Sequence, residues 1–149
     1  MITIKPHHFI DIVKLYGSGI ESFIPCPDFN HDFYKVANAI ISDLSIPLKL
    51  TTAGDDICKP CNRYDGTVCT DPLSGIPVYT KKESYNHELD SRILSILNLS
   101  TSNTYTAKEF LALLYKHSDI IFLVWIEEKD EITNKRNELF RKGCEKLLK

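Results

Sequence analysis

The segment Asp55-Asp-Ile-Cys58-Lys-Pro-Cys61-Asn-Arg-Tyr-Asp-Gly-Thr-Val-Cys69 places three cysteines within twelve residues. Pro60 and the Asp65-Gly66 turn signal interrupt it, so neither a helix nor a strand of any length can run through it. The chain has to be built around this loop. A C-x-x-C turn lets two sulfurs point to one side while backbone N–H groups offset their charge. Three thiolates on one loop suit a soft metal centre, either zinc or an iron–sulfur cluster. Two plainer readings compete with that one. A redox pair needs a strand–helix setting that Cys58-Lys-Pro-Cys61 lacks. Ordinary core packing suits cysteines in apolar surroundings, and this loop is polar. The pattern C-x-x-C-x7-C lacks a second C-x-x-C, so it specifies a metal less sharply than a double pair would.

The rest of the composition fits a reducing setting. The chain has five cysteines in 149 residues, an odd number. Its start, Met1-Ile-Thr-Ile-Lys-Pro-His-His8, has no basic stretch running into an apolar one. Thiols in a cytoplasmic protein are therefore expected, rather than a disulfide framework. The length predicts a single domain over 1–149, large enough to bury a core without a covalent staple. Eighteen basic and 20 acidic residues give a net charge of −2. That balance carries no footprint for nucleic acid or an anionic membrane. No apolar run approaches the ~18–20 residues of a membrane span.

Periodicity predicts an α+β fold, mainly helical: four to five helices, a short two-strand element and the metal-binding cysteine loop. Ile2 to Lys5 alternates like a strand. Helices are expected over 6–16, with Phe9, Ile10 and Val13 inward, and over 31–44, with Phe33, Val36, Ala37, Ile40, Ile41 and Leu44 on its stripe. Residues 48–52 are extended. Three more helices follow, over 85–97 (Leu89, Ile93, Ile96 and Leu97 inward), 106–117 and 132–148 (Ile132, Leu139, Phe140, Cys144 and Leu147 inward). Thr106-Ala-Lys-Glu109 is a capping box. The apolar run 120–126 fits a buried strand or a buried helix equally well, and it is also the candidate surface for weak self-association.

Three thiolates need a fourth ligand. His7 and His8 stand where a strand passes into a helix, and adjacent side chains diverge there, so one of the two is expected to reach the metal. Asp55 or Asp56 could orient that histidine by accepting its other N–H; a simple Gly-Asp-Asp turn is the plainer reading for at least one of them. His31 reads as a helix-start residue, and His87 and His117 as solvated or capping. Cys26, between prolines, could be a ligand or a plain loop thiol. Cys144 lies on an apolar stripe and reads as core.

Lys5-Pro-His-His8, Gly17 to Gly19, and Gly54-Asp-Asp-Ile-Cys58-x-Pro-Cys61 with Cys69 together resemble domain-of-unknown-function family 1284. Its members are small bacterial and archaeal proteins associated with iron–sulfur binding, without an established activity. The resemblance covers the first half of the chain well and the second half weakly. It implies further cysteines that this chain lacks: Asp11 stands where the family has one, and a late C-x-x-C before a tryptophan falls on Ile120 and Leu123 if Trp125 is that tryptophan. Cys144 would be the remnant of a second group of ligands, leaving Cys58, Cys61, Cys69 and His7 or His8 as the retained one. Because that second group is gone, structural zinc is the expected cofactor, with an iron–sulfur cluster for redox or metal delivery as the alternative. A zinc enzyme with an open coordination position, using Asp55, Asp56 or Asp11 as base, ranks last, because the chain has no H-E-x-x-H motif that would pair a base with its ligands.

Overall fold

The computed structural model describes residues 1–149. The elements in chain order are β1 (Ile2–Ile4), α1 (Pro6–Gly17), α2 (Phe33–Ser42), β2 (Pro47–Leu50), α3 (Lys82–Ile96), β3 (Thr104–Thr106), α4 (Ala107–Lys116), α5 (Ile121–Val124) and α6 (Asp130–Leu147). The fold is α+β and mainly helical. It has six helices rather than four to five, and three strands rather than two.

The added helix comes from the apolar run 120–126. A 3-10 turn over Ser118–Ile120 leads into α5, so this run is a bent helical corner and not a strand. Ile120, Ile121, Val124 and Trp125 face inward, while Phe122, Leu123 and Ile126 are exposed. The added strand is β3. Its three residues are too short to show alternation, but they pair with β2 through Leu48↔Tyr105. β2 is central and also pairs in parallel with β1 through Ile2↔Leu48 and Ile4↔Leu50. Leu48 and Leu50 are buried while Pro47 and Lys49 are exposed, the period-two pattern of a sheet with one covered face.

Helices cover that face. Phe9 of α1 meets Phe110 of α4 with ring centroids 4.8 Å apart. Thr106 caps α4 by accepting the Glu109 N–H at 3.0 Å. α1 and α6 pack closely because Gly143 carries no side chain: a Cβ there would collide with the Val13 carbonyl oxygen. The inward stripe of α6 runs Thr133, Phe140, Cys144, which leaves the expected Ile132 off the stripe and 49% exposed. In α3 the buried positions are Tyr85, Leu89, Asp90 and Ile93, and Ile96 turns outward at the end of the helix. No helix is long and apolar enough to cross a membrane.

Candidate metal centre

The cysteine loop is folded by local hydrogen bonds. Asp65 Oδ1 accepts the Thr67 and Val68 N–H groups, both at 2.8 Å, and Gly66 takes φ 99°. This turn needs a residue without a Cβ at its left-handed position. It sends the chain back, so that Tyr64 pairs with Cys69 in an antiparallel bridge. The Cys69 N–H then donates to Glu83 Oε2 at 2.8 Å, which ties the loop to the first turn of α3.

Asp55 organises the other end of the loop. Its side chain is fully buried and both oxygens are saturated. Oδ1 accepts the Ile57 and Cys58 N–H groups, each at 3.1 Å. Oδ2 accepts the Lys5 N–H at 2.8 Å and the His8 Nδ1–H at 2.7 Å. One carboxylate thus joins β1, α1 and the cysteine turn. Burial alone would raise its pKa, but the His8 charge and these hydrogen bonds outweigh burial and hold it well below the usual carboxylate range.

A second carboxylate does the same for His7. Asp90 of α3 is fully buried, accepts the His7 backbone N–H at 2.8 Å, and takes its Nδ1–H at 2.9 and 3.0 Å. Burial works against the His7 charge, yet Asp90 more than offsets it, so the His7 pKa is raised. Both histidines therefore spend Nδ1 on a carboxylate and keep Nε2. That is the arrangement by which a carboxylate fixes the tautomer of a metal-ligating imidazole.

His8, Asp55 and Cys58 bring one potential ligand atom each within 4.8 Å of one another. Asp55 is the poorest ligand of the three, because its acceptor sites are already filled. Cys61, Cys69 and His7 stand outside this compact group but line the same cleft, whose volume is about 360 Å³. The Cys58 thiol has its pKa pushed up to about 12, first by burial and then by the Asp55 charge. Without a metal it is a neutral thiol.

The remaining sequence candidates divide clearly. Asp56 turns away from the histidines, accepting the Thr3 N–H at 2.9 Å and pairing with Lys59 at 3.2 Å. Asp11 and His31 line the cleft, His31 being stacked on Phe29 with centroids 6.0 Å apart. Cys26 is half-buried just ahead of a turn over 27–29 and does not line the cleft; Cys144 is fully buried in the core. Ile120 is buried and Leu123 is exposed on the α5 corner. Three residues around the cleft were not picked out from the sequence: Asp90, Glu83 and the buried Lys5. Asp90 did leave a signal, a charged residue at an inward helical position beside Leu89 and Ile93. Glu83 left none, and Lys5 only its place at the head of Lys5-Pro-His-His8.

Fold and site together define a small, mainly helical α+β domain with a His/Asp/Cys cleft at the junction of β1, α1, α3 and a cysteine loop. The chain matches the family described as "Protein of unknown function (DUF1284)" over residues 26–129, and it belongs to that family. The matched span takes in Cys26, the three loop cysteines and Trp125, and begins after His7 and His8. No curated protein and no solved structure matches the chain.

Proposed function

We propose that this is a metal-binding protein whose centre is held by Cys58, Cys61, Cys69 and His8, with zinc as the metal and a structural role. The observation that carries this reading is the Asp55–His8–Cys58 arrangement. One buried carboxylate orients the imidazole at 2.7 Å and also accepts the backbone N–H of the first cysteine at 3.1 Å. Three thiolates and one imidazole are a closed tetrahedral set for zinc. Such a centre would clamp the N-terminal strand and helix onto the central loop. His7, held by Asp90, is the alternative imidazole.

A specific observation favours a second reading. Cys61 and Cys69 stand outside the compact group, and the cleft of about 360 Å³ has room for more than one ion. An iron–sulfur cluster bound by the same residues would use that spread. Metal analysis and the absorption spectrum of anaerobically purified protein separate the two. A colourless protein with one zinc per chain supports the first reading. A brown protein with a broad visible shoulder, bleached by dithionite, supports the second. A protein that retains neither metal and binds neither on reconstitution refutes both.

A further inference from the structure

Lys5 lies between β1 and α1, where Pro6 favours an extended backbone. It is only 1% exposed, yet it lines the cleft. The ion-paired lysines of the chain are Lys14, Lys35, Lys59, Lys82, Lys135 and Lys142, and Lys5 is not among them. A buried ammonium is costly unless an anion or hydrogen-bond acceptors meet it. Four groups stand around it: Cys58, Asp55, Glu83 and Asp90.

None of those four groups forms an ion pair with Lys5, and the three carboxylates accept hydrogen bonds from other donors. Asp55 already accepts from Lys5 N–H, His8, Ile57 and Cys58; Asp90 holds His7; Glu83 accepts from Cys69. Cys58 is a neutral thiol without metal, and with metal its thiolate charge goes to the ion. The other carboxylates of the cleft are also engaged: Asp71 with Lys82 at 2.5 Å, Asp11 with Lys14 at 3.9 Å, and Glu128 with Tyr85 at 2.7 Å and Arg136 at 3.2 Å. At the rim, Arg63 sits above Phe29 at 5.8 Å and is likewise absent from the arginine ion pairs. The cleft thus presents unpaired cations and paired carboxylates.

Its remaining wall is apolar, formed by Leu73, Tyr85, Leu89 and Trp125. The volume of about 360 Å³ lies in the range of small-molecule sites, and a single metal ion would take up little of it. We propose that the cleft binds a small organic carboxylate, with the carboxylate on Lys5 Nζ and the apolar body against Tyr85, Leu89 and Trp125. This deepens the metal reading, since it assigns a ligand to the same cleft, but the ligand needs Lys5 rather than the ion.

Trp125 is the only tryptophan of the chain, so its fluorescence reports on the cleft. The full-length protein is titrated with sodium benzoate, with the neutral isostere benzamide and with inorganic phosphate, and metal content is measured on the same sample. Benzoate gives a saturable change that benzamide and phosphate do not. In Lys5→Met, checked for folding by its melting temperature, the benzoate Kd rises about ten-fold or more, the loss expected for one charge-assisted hydrogen bond. Benzoate without saturation, benzamide or phosphate matching benzoate, or unchanged affinity in folded Lys5→Met would each overturn the proposal. If Lys5→Met does not fold, the comparison of benzoate with benzamide on the wild type decides. Benzoate binding by a protein that takes up no metal refutes the metal reading alone; a metal-loaded protein indifferent to benzoate refutes this proposal alone.

Discussion

Replacing Asp55 by asparagine tests the junction at the heart of the site. Asp55 accepts four hydrogen bonds, two on each oxygen. Whichever way the amide is turned, its NH2 group faces two N–H donors that had an oxygen before. Hydrogen bonds to a charged group contribute roughly 1.5–3 kcal/mol each, so two lost bonds cost about 3–6 kcal/mol. That is a large share of the roughly 5–15 kcal/mol that holds a domain together. At roughly 2–4 °C per kcal/mol for a chain of this size, the melting temperature should fall by about 10 °C. The lowered Asp55 pKa adds a pH signature. Its stabilisation is present above the unfolded carboxylate pKa of about 4 and fades as pH falls towards the folded value, so the gap between wild type and variant is widest near neutrality and narrows in acid. Calorimetry across pH measures both effects. A melting temperature within about 2 °C of wild type at neutral pH would refute the reasoning, since it would mean the two lost bonds contribute under about 1 kcal/mol.

Other perturbations follow from the same geometry. Gly143→Ala drives a methyl group into the Val13 carbonyl and should separate α1 from α6, costing about 1–3 kcal/mol in chemical denaturation, as overpacking does. Thr106→Ala removes the oxygen that accepts the Glu109 N–H and should cost about 1 kcal/mol by the same measurement. The raised His7 pKa makes the His7–Asp90 pair stabilising in full below the unfolded histidine value of about 6.5, and that contribution is lost as pH rises through the folded pKa. Stability should decline over that interval in wild type and stay flatter in Asp90→Asn, as urea titrations at several pH values would read.

Local features were legible in the sequence. The capping box at Thr106, the Asp65-Gly66 turn and the inward residues of α1 and α2 depend on neighbours within a few positions, and the structure has each of them. The cysteine loop was legible as a loop for the same reason. The two carboxylate–histidine contacts were much less so, because Asp55 meets His8 across 47 positions and Asp90 meets His7 across 83. Asp55 was named from its place beside Cys58, whereas Asp90 sits in a helix with no motif around it. β3 escaped because three residues cannot display alternation, and its pairing with β2 is set by the tertiary fold. The buried Lys5 escaped because a lysine ahead of Pro6 ordinarily reads as exposed; its burial follows from the closure of the loop and α3 over the strand end.

The central claim is the ligand set, and X-ray absorption at the zinc edge of the purified protein tests it most directly. The account predicts three sulfurs at about 2.3 Å and one nitrogen at about 2.0–2.1 Å. It also predicts loss of the sulfur shell in Cys58→Ser/Cys61→Ser. A shell of oxygen and nitrogen only, or a sulfur shell unchanged in that double variant, would contradict it.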